Sequence, residues 1–282
     1  MAYPDMIVSL PQVAPPRFSL VQSAEVVNHP TDRFAGGVTW TPEPFVSEGG
    51  GTLGLWQVDA SNSPVTYYAR NAPASGQPFG IWASEKSSSF GLDYAELQSR
   101  VQRKLMVGES GALEYALWND PLAINPDLTL ASASATTVGS SAGNAVMDAF
   151  GHLDAAIAQT WGRGMIHCRP LMLALGVSST VLRQEGSVWL TPMGNIVVPG
   201  AAYSGTGPNA EAVTNTSEWM YATSPVQVHR GPVFLTPDNV REATNKSDNT
   251  ITVHAMRFGL AVWDYTAGHF AAKVIHDDSG NV

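Results

Sequence analysis

The sequence predicts an α+β protein, and three observations carry that prediction. Helix-period apolar stripes gather in the middle of the chain, β-prone runs lie on both sides of them, and no repeat of roughly 20–50 residues is visible.

With 282 residues and 44% hydrophobic content, the chain can bury the core of one large domain or two modest ones. Only 14% of residues are charged, against roughly 25% in an average soluble domain. A surface so poor in charge is expected to meet other protein. The net charge of −9, with 15 scattered basic residues, argues against a nucleic-acid-binding module, which needs clustered Lys and Arg to displace counterions. Cys168 is the one cysteine, so an intrachain disulfide and a four-cysteine zinc site are both excluded. Met1-Ala2-Tyr3-Pro4-Asp5 does not begin an export signal, and no apolar run reaches the ~20 residues of a membrane span, so a cytosolic origin and no membrane partner are expected.

Pro4, Pro11, Pro15, Pro16 and Pro30 rule out a long helix over 1–34 and predict an extended arm, whose Phe18 and Leu20 need a surface to pack on. Between 35 and 80, Val38-Thr39-Trp40 and Val65-Thr66-Tyr67-Tyr68 are β-prone. Gly49-Gly50-Gly51 and several prolines separate them, which predicts a two-stranded excursion with a flexible tip. Such a ribbon is marginal alone and takes its stability from another surface.

A helix is predicted from a Ser88 or Ser89 cap to Trp118, because Leu97, Val101 and Leu105 recur every four residues with Tyr94 on the same stripe. Pro121 bounds it. After the small-residue connector Ala131 to Thr137, Val146, Phe150, Leu153, Ile157 and Trp161 predict a second helix over 144–161, ended by Gly162 and Gly164. Pro170 opens a short third helix over 169–175, with Gly176 as its stop. From Val181 onward strands are predicted at 187–190, 196–198, 219–223, 226–229, 250–254 and 258–263, with a loop at Gly200 to Pro208.

Catalytic and metal chemistry finds no support in this pattern, and no cofactor is expected. The seven histidines lack ligand spacing. Cys168 beside His167 reads as a buried, inert thiol, since neighbours on one backbone rarely turn toward each other. Gly139-Ser140-Ser141-Ala142-Gly143 misplaces the serine of a nucleophile elbow. The carboxylate pairs Asp148 with Asp154 and Glu109 with Glu114 read as solvated helix faces.

The tail resembles a known family. Asn249-Thr250-Ile251-Thr252-Val253-His254-Ala255-Met256-Arg257-Phe258-Gly259-Leu260-Ala261-Val262-Trp263-Asp264 is similar to the closing strands of tailed-bacteriophage major capsid proteins. There a polar strand leads through an Ala-x-x-Arg-like turn into a small, apolar strand; Arg257 and Gly259 to Val262 occupy those positions. The order of parts also resembles that family's Hong Kong 97-type fold, shared with encapsulins. The resemblance implies an N-terminal arm over 1–34 and an extended β loop over 35–80. It implies a spine helix with the first part of a peripheral domain over 81–144, an axial domain over 145–225, and C-terminal strands of the peripheral domain over 226–282.

The function implied is a major capsid protein of a double-stranded-DNA phage. It would assemble in the host bacterial cytoplasm into pentamers and hexamers of an icosahedral shell, reside in the virion, and enclose DNA without reading its sequence. A nanocompartment of encapsulin type and a tail-tube or decoration protein are the rivals. The short stretch before the spine helix leaves no room for a built-in scaffolding region, so a separate scaffolding protein is expected, with a portal and decoration proteins as further partners. Lys86 stands at the helix entrance rather than the loop tip, so no crosslinking lysine is assigned. The subunit interface is expected to use Phe18, Leu20, Trp40, Leu53, Leu55, Trp56, Tyr67 and Tyr203, and the loop Gly200 to Pro208 is a candidate for the crowded symmetry centre.

Overall fold

The computed structural model describes residues 13–41, 73–88 and 93–276. The chain runs through a one-turn helix α1 (Leu20–Ser23), strands β1 (Glu25–Asn28), β2 (Val38–Trp40), β3 (Ala74–Gly76) and β4 (Phe79–Ser88), and the long helix α2 (Tyr94–Asn119). Next come β5 (Thr136–Thr137), α3 (Val146–Thr160), β6 (Met165–Cys168), α4 (Pro170–Ser178), β7 (Arg183–Glu185), β8 (Val188–Leu190) and β9 (Ile196–Pro199). The remainder is β10 (Ser217–Thr223), β11 (Gln227–Arg230), β12 (Phe234–Thr236), α5 (Val240–Ala243), β13 (Thr244–Asn245), β14 (Thr250–Val262) and β15 (Phe270–Ile275).

Helix α2 forms where the four-residue spacing predicts it, and Leu97, Val101, Leu105, Leu113 and Leu117 are all buried along one stripe. Its start differs from expectation. Ser88 is held at the end of β4 by pairing with Thr250, so the helix begins after Asp93 rather than at a serine cap. At 1.5 Å per residue its 26 residues make a strut of about 39 Å.

That strut lies on one face of a six-stranded sheet. Strand β14 is its centre, flanked by β11 and β12, with β1 beyond β11, and with β4 and β13 also pairing β14. The expected turn at Arg257 is absent: β14 runs unbroken for 13 residues, paired to β4 from Thr250↔Ser88 to Gly259↔Phe79. An uninterrupted ladder keeps Arg257 in the strand alternation, pointing to the helix side. The arm is fixed to this sheet by β1, which pairs in parallel with β11.

The second sheet has seven strands in the order β5-β15-β10-β6-β9-β8-β7. Helices α3 and α4 cover one face, burying Phe150, Leu153, Ile157 and Met172 against Ile166, Val197 and Met220. Helix α4 extends past its expected stop. Gly176 is an interior residue whose missing Cβ lets the chain approach Phe150 and Leu182; an added carbon would lie 2.8 and 2.7 Å from them. The other face meets the first core through Tyr203, Trp219 and Tyr221.

Strand pairing divides the chain differently from the expected 226–282 block, because β15 joins the second sheet beside β10 rather than the first. Strand β2 forms at the expected Val38 to Trp40 and pairs with β3, Val38↔Gly76 to Trp40↔Ala74. The other expected strand of the ribbon, Val65 to Tyr68, lies outside the described residues.

Candidate self-association surface

One face of the six-stranded sheet is covered by α2; on the opposite face Leu260 and Val262 at one end of β14 are buried, but among the described residues nothing covers the stretch around Met256. Partnered residues of an antiparallel ladder share a face, so the registers Phe234↔Met256 and Met256↔Trp82 place three apolar side chains in a row across β12, β14 and β4. Trp82 is 67% exposed, Phe234 38% and Met256 37%, whereas the intervening Ile81, Val253 and Ala255 are buried under α2. Among the described residues the Trp82 indole makes an edge-type ring contact with His254, with ring centroids 6.4 Å apart. A large aromatic left this open is a candidate anchor, since burying it on a partner removes much apolar area at little rotamer cost.

Behind that face the strut is pinned by buried polar groups. Glu109 falls on the same four-residue stripe as Leu105 and Leu113, yet it is ionic: both carboxylate oxygens accept Arg257 Nη1 at 3.1 Å, and Oε2 accepts Arg230 Nη1 at 3.1 Å. Glu114 accepts the Leu20 amide at 3.1 Å, the Ser110 hydroxyl at 3.0 Å and the Ala202 amide at 3.2 Å. That carboxyl therefore ties the arm, the strut and the 200–208 loop together, while burial raises its pKa. Asp154 is likewise buried, accepting from Thr191 and Asn195. The solvated-face reading is thus corrected for Glu109, Glu114 and Asp154; Asp148 is exposed as expected.

The loop 200–208 packs inward. Tyr203 is 3% exposed, packs its ring at a tilt against Trp118 with centroids 4.8 Å apart and hydrogen-bonds His167 Nδ1 at 2.9 Å, and Trp118 Nε1 donates to the Thr206 carbonyl at 3.2 Å. The loop is therefore a clamp on α2 rather than a free tip.

Of the expected interface residues, Leu20 and Tyr203 are corrected: both lie in the chain's own core, Leu20 fully buried beneath the arm and Tyr203 beneath its loop. Phe18 is half-buried against Trp189, with centroids 5.9 Å apart, and Trp40 is half-buried with its ring edge-on to Tyr265 at 6.1 Å. Leu53, Leu55, Trp56 and Tyr67 lie outside the described residues. The row Trp82, Met256 and Phe234 was missed by sequence reasoning; alternation within 79–88 and 250–262 was the available signal.

Cys168 is fully buried, and burial pushes its thiol pKa up, away from the thiolate a nucleophile needs. His167 is held neutral, its pKa pulled down to about 3 by burial and by the neighbouring His269. Thr223 Oγ1 donates to the Ser224 carbonyl, so it accepts from His167 Nε2–H, and Nδ1 accepts from Tyr203. The ring serves as a fixed neutral bridge. Among the described residues no cluster of three potential metal ligands occurs, and no helix is long and apolar enough to cross a membrane.

Solved capsid structures share this arrangement over nearly the whole chain. The capsid of a native GTA particle superposes with a TM-score of 0.54 at 13% identity, covering 97% of this chain and 95% of that one. The capsid of Ralstonia phage GP4 gives 0.53 at 10% identity, covering 99% and 97%. The holo-SrpI encapsulin complex from Synechococcus elongatus PCC 7942 gives 0.54 at 11% identity, covering 96% and 91%. No family model and no curated protein matches the sequence. The fold is the Hong Kong 97-type capsid fold, as the tail motif and the order of elements implied.

Proposed function

We propose that this chain is the major capsid protein of a tailed double-stranded-DNA bacteriophage, a shell tile that forms pentamers and hexamers and encloses the genome. The observation that carries the reading is the near-complete match of its fold to capsid chains. The apolar row on the first sheet, left exposed by the described residues, supports it. Work of this kind is geometric rather than catalytic. A closed shell repeats the same few heterologous contacts, so modest contacts multiply across many copies.

In this reading the six-stranded sheet with α2 is the peripheral domain and the seven-stranded sheet the axial domain. Phe18 and Trp40 join the Trp82 row as contact residues. A separate scaffolding protein, a portal and decoration proteins are the partners, and the shell assembles in the bacterial cytoplasm before residing in the virion.

The fold likeness to an encapsulin supports a second reading, a nanocompartment around protein cargo. Size-exclusion chromatography with negative-stain microscopy tests both. A megadalton peak or discrete pentamers and hexamers is expected, and nuclease-protected DNA inside particles from infected cells separates phage shell from nanocompartment. A 30.0 kDa monomer at all concentrations overturns the shell reading.

A further inference from the structure

A pocket of about 290 Å³ opens between the arm, the middle of α2 and the edge where β1 meets β11. Ser19, Gln22 and Asn28 from the arm, Glu109 from α2, and Arg230 and Arg257 from the sheet line it. Two guanidiniums there face one carboxylate. All three nitrogens of Arg257 are in use, Nη1 donating to Glu109 and both Nε and Nη2 to the Gly231 carbonyl, at 3.2 and 2.9 Å. Arg230 gives Nη1 to Glu109, but its enclosed Nε has no hydrogen-bond partner among the described residues. Glu114, the next acid along the helix, does not line the pocket; it sits behind Ser110 and is already supplied with amide and hydroxyl donors.

We propose that this pocket binds a carboxylate, taken side-on by Nε and Nη2 of Arg230 with the Gln22 and Asn28 amides at its rim. A buried guanidinium N–H without an acceptor is costly, and a planar two-oxygen anion is the ligand whose geometry matches that edge. Arg230 keeps a fifth of its side chain exposed and is anchored through Nη1, so its far edge can turn to the pocket while Glu109 stays paired. The excess positive charge of the three ionic side chains selects an anion over a neutral ligand. The carboxylate can come from a free small acid or from an acidic side chain of a second copy; only the latter source rests on the shell reading.

The test uses the unassembled full-length chain carrying nitrogen-15-labelled arginine, titrated with sodium succinate against sodium chloride at equal ionic strength. The Arg230 Nε–H resonance, assigned by its loss in R230K, is expected to move saturably with succinate and not with chloride. The wild-type melting midpoint, which needs no variant, is expected to rise in succinate alone. R230K, which keeps the charge but lacks the two-donor edge, should weaken the response about tenfold or more. In isolated pentamers or hexamers, a resonance already at its bound position and insensitive to succinate assigns the acid to a neighbouring copy; one that still titrates assigns it to a free ligand. An Arg230 resonance and a melting midpoint both unmoved by succinate in the unassembled chain overturn the proposal, whether or not the chain builds shells.

Discussion

The two sheets of this chain are covered differently. The seven-stranded sheet is enclosed on both faces at its centre: every residue of β10 is buried, with Trp219 and Tyr221 turned to the core shared with α2, and Met220 and Ala222 turned to α3 and α4. The six-stranded sheet has α2 on one face, and on the other the row Phe234, Met256 and Trp82 stands open. A strand buried on both sides is explained by its own chain. A strand whose outer side chains are large, apolar and uncovered by any described residue is not, and under the proposed function the cover is another subunit.

The largest expected effects fall on buried side chains, in the seven-stranded sheet's core and on the covered face of the six-stranded sheet. Phe150 is fully buried between α3, α4 and the sheet, so Phe150→Ala should cost about 3–5 kcal/mol, read as a lowered urea midpoint at unchanged slope. Arg257→Ala should be of similar size, about 3–5 kcal/mol, because it leaves the Glu109 carboxylate buried with Arg230 alone. A cost below about 1 kcal/mol for Arg257→Ala would show that Glu109 does not depend on its partner across the sheet.

An intermediate effect depends on pH. In the folded chain His167 has a pKa near 3, against 6.5 unfolded, so between those values the unfolded chain binds a proton that the folded chain refuses. Its contribution is fully present above pH 6.5 and is lost as pH falls toward 3, at up to about 1.4 kcal/mol per pH unit. His229 and His269 are also shifted down by burial, which gives their effects the same sign. The His167→Asn variant therefore isolates one residue: urea unfolding at pH 7.5 and pH 5 should show a shallower loss than in the wild type. Parallel slopes would mean that His167 is protonated in the fold.

What could be read from sequence followed the range of the interactions. Leu97, Val101 and Leu105 announced α2 because their spacing is a property of one segment, and Val146, Phe150 and Leu153 announced α3 for the same reason. Strands β6 and β15 gave no such signal: Met165 to Cys168 is buried on both faces, so alternation is absent, and Phe270 to Ile275 is recognised only through its pairing with β10. Glu109 shares its stripe with leucines, but its burial requires Arg257, 148 residues later. Leu20 and Tyr203 stand in Pro-rich and Gly-rich stretches that resemble free limbs, and only the Glu114 junction shows that both stretches are held against α2. The row Trp82, Met256 and Phe234 comes from three separate runs and exists only once register aligns them.

The smallest expected effect on the isolated subunit is the most informative about function. Trp82→Ser removes a side chain that is 67% exposed and touches little of its own chain, so the monomer's urea midpoint should move by no more than about 0.5 kcal/mol in stability. The same change takes the largest member out of the open row, so yields of pentamers, hexamers and closed particles by size-exclusion chromatography should fall steeply, because each lost contact recurs in every copy. A monomer destabilised by several kcal/mol would place Trp82 in the subunit's own core. Unaltered assembly would place the contact elsewhere, on Phe18 and Trp40. Only an unchanged monomer that no longer assembles assigns the uncovered face of the six-stranded sheet to another subunit.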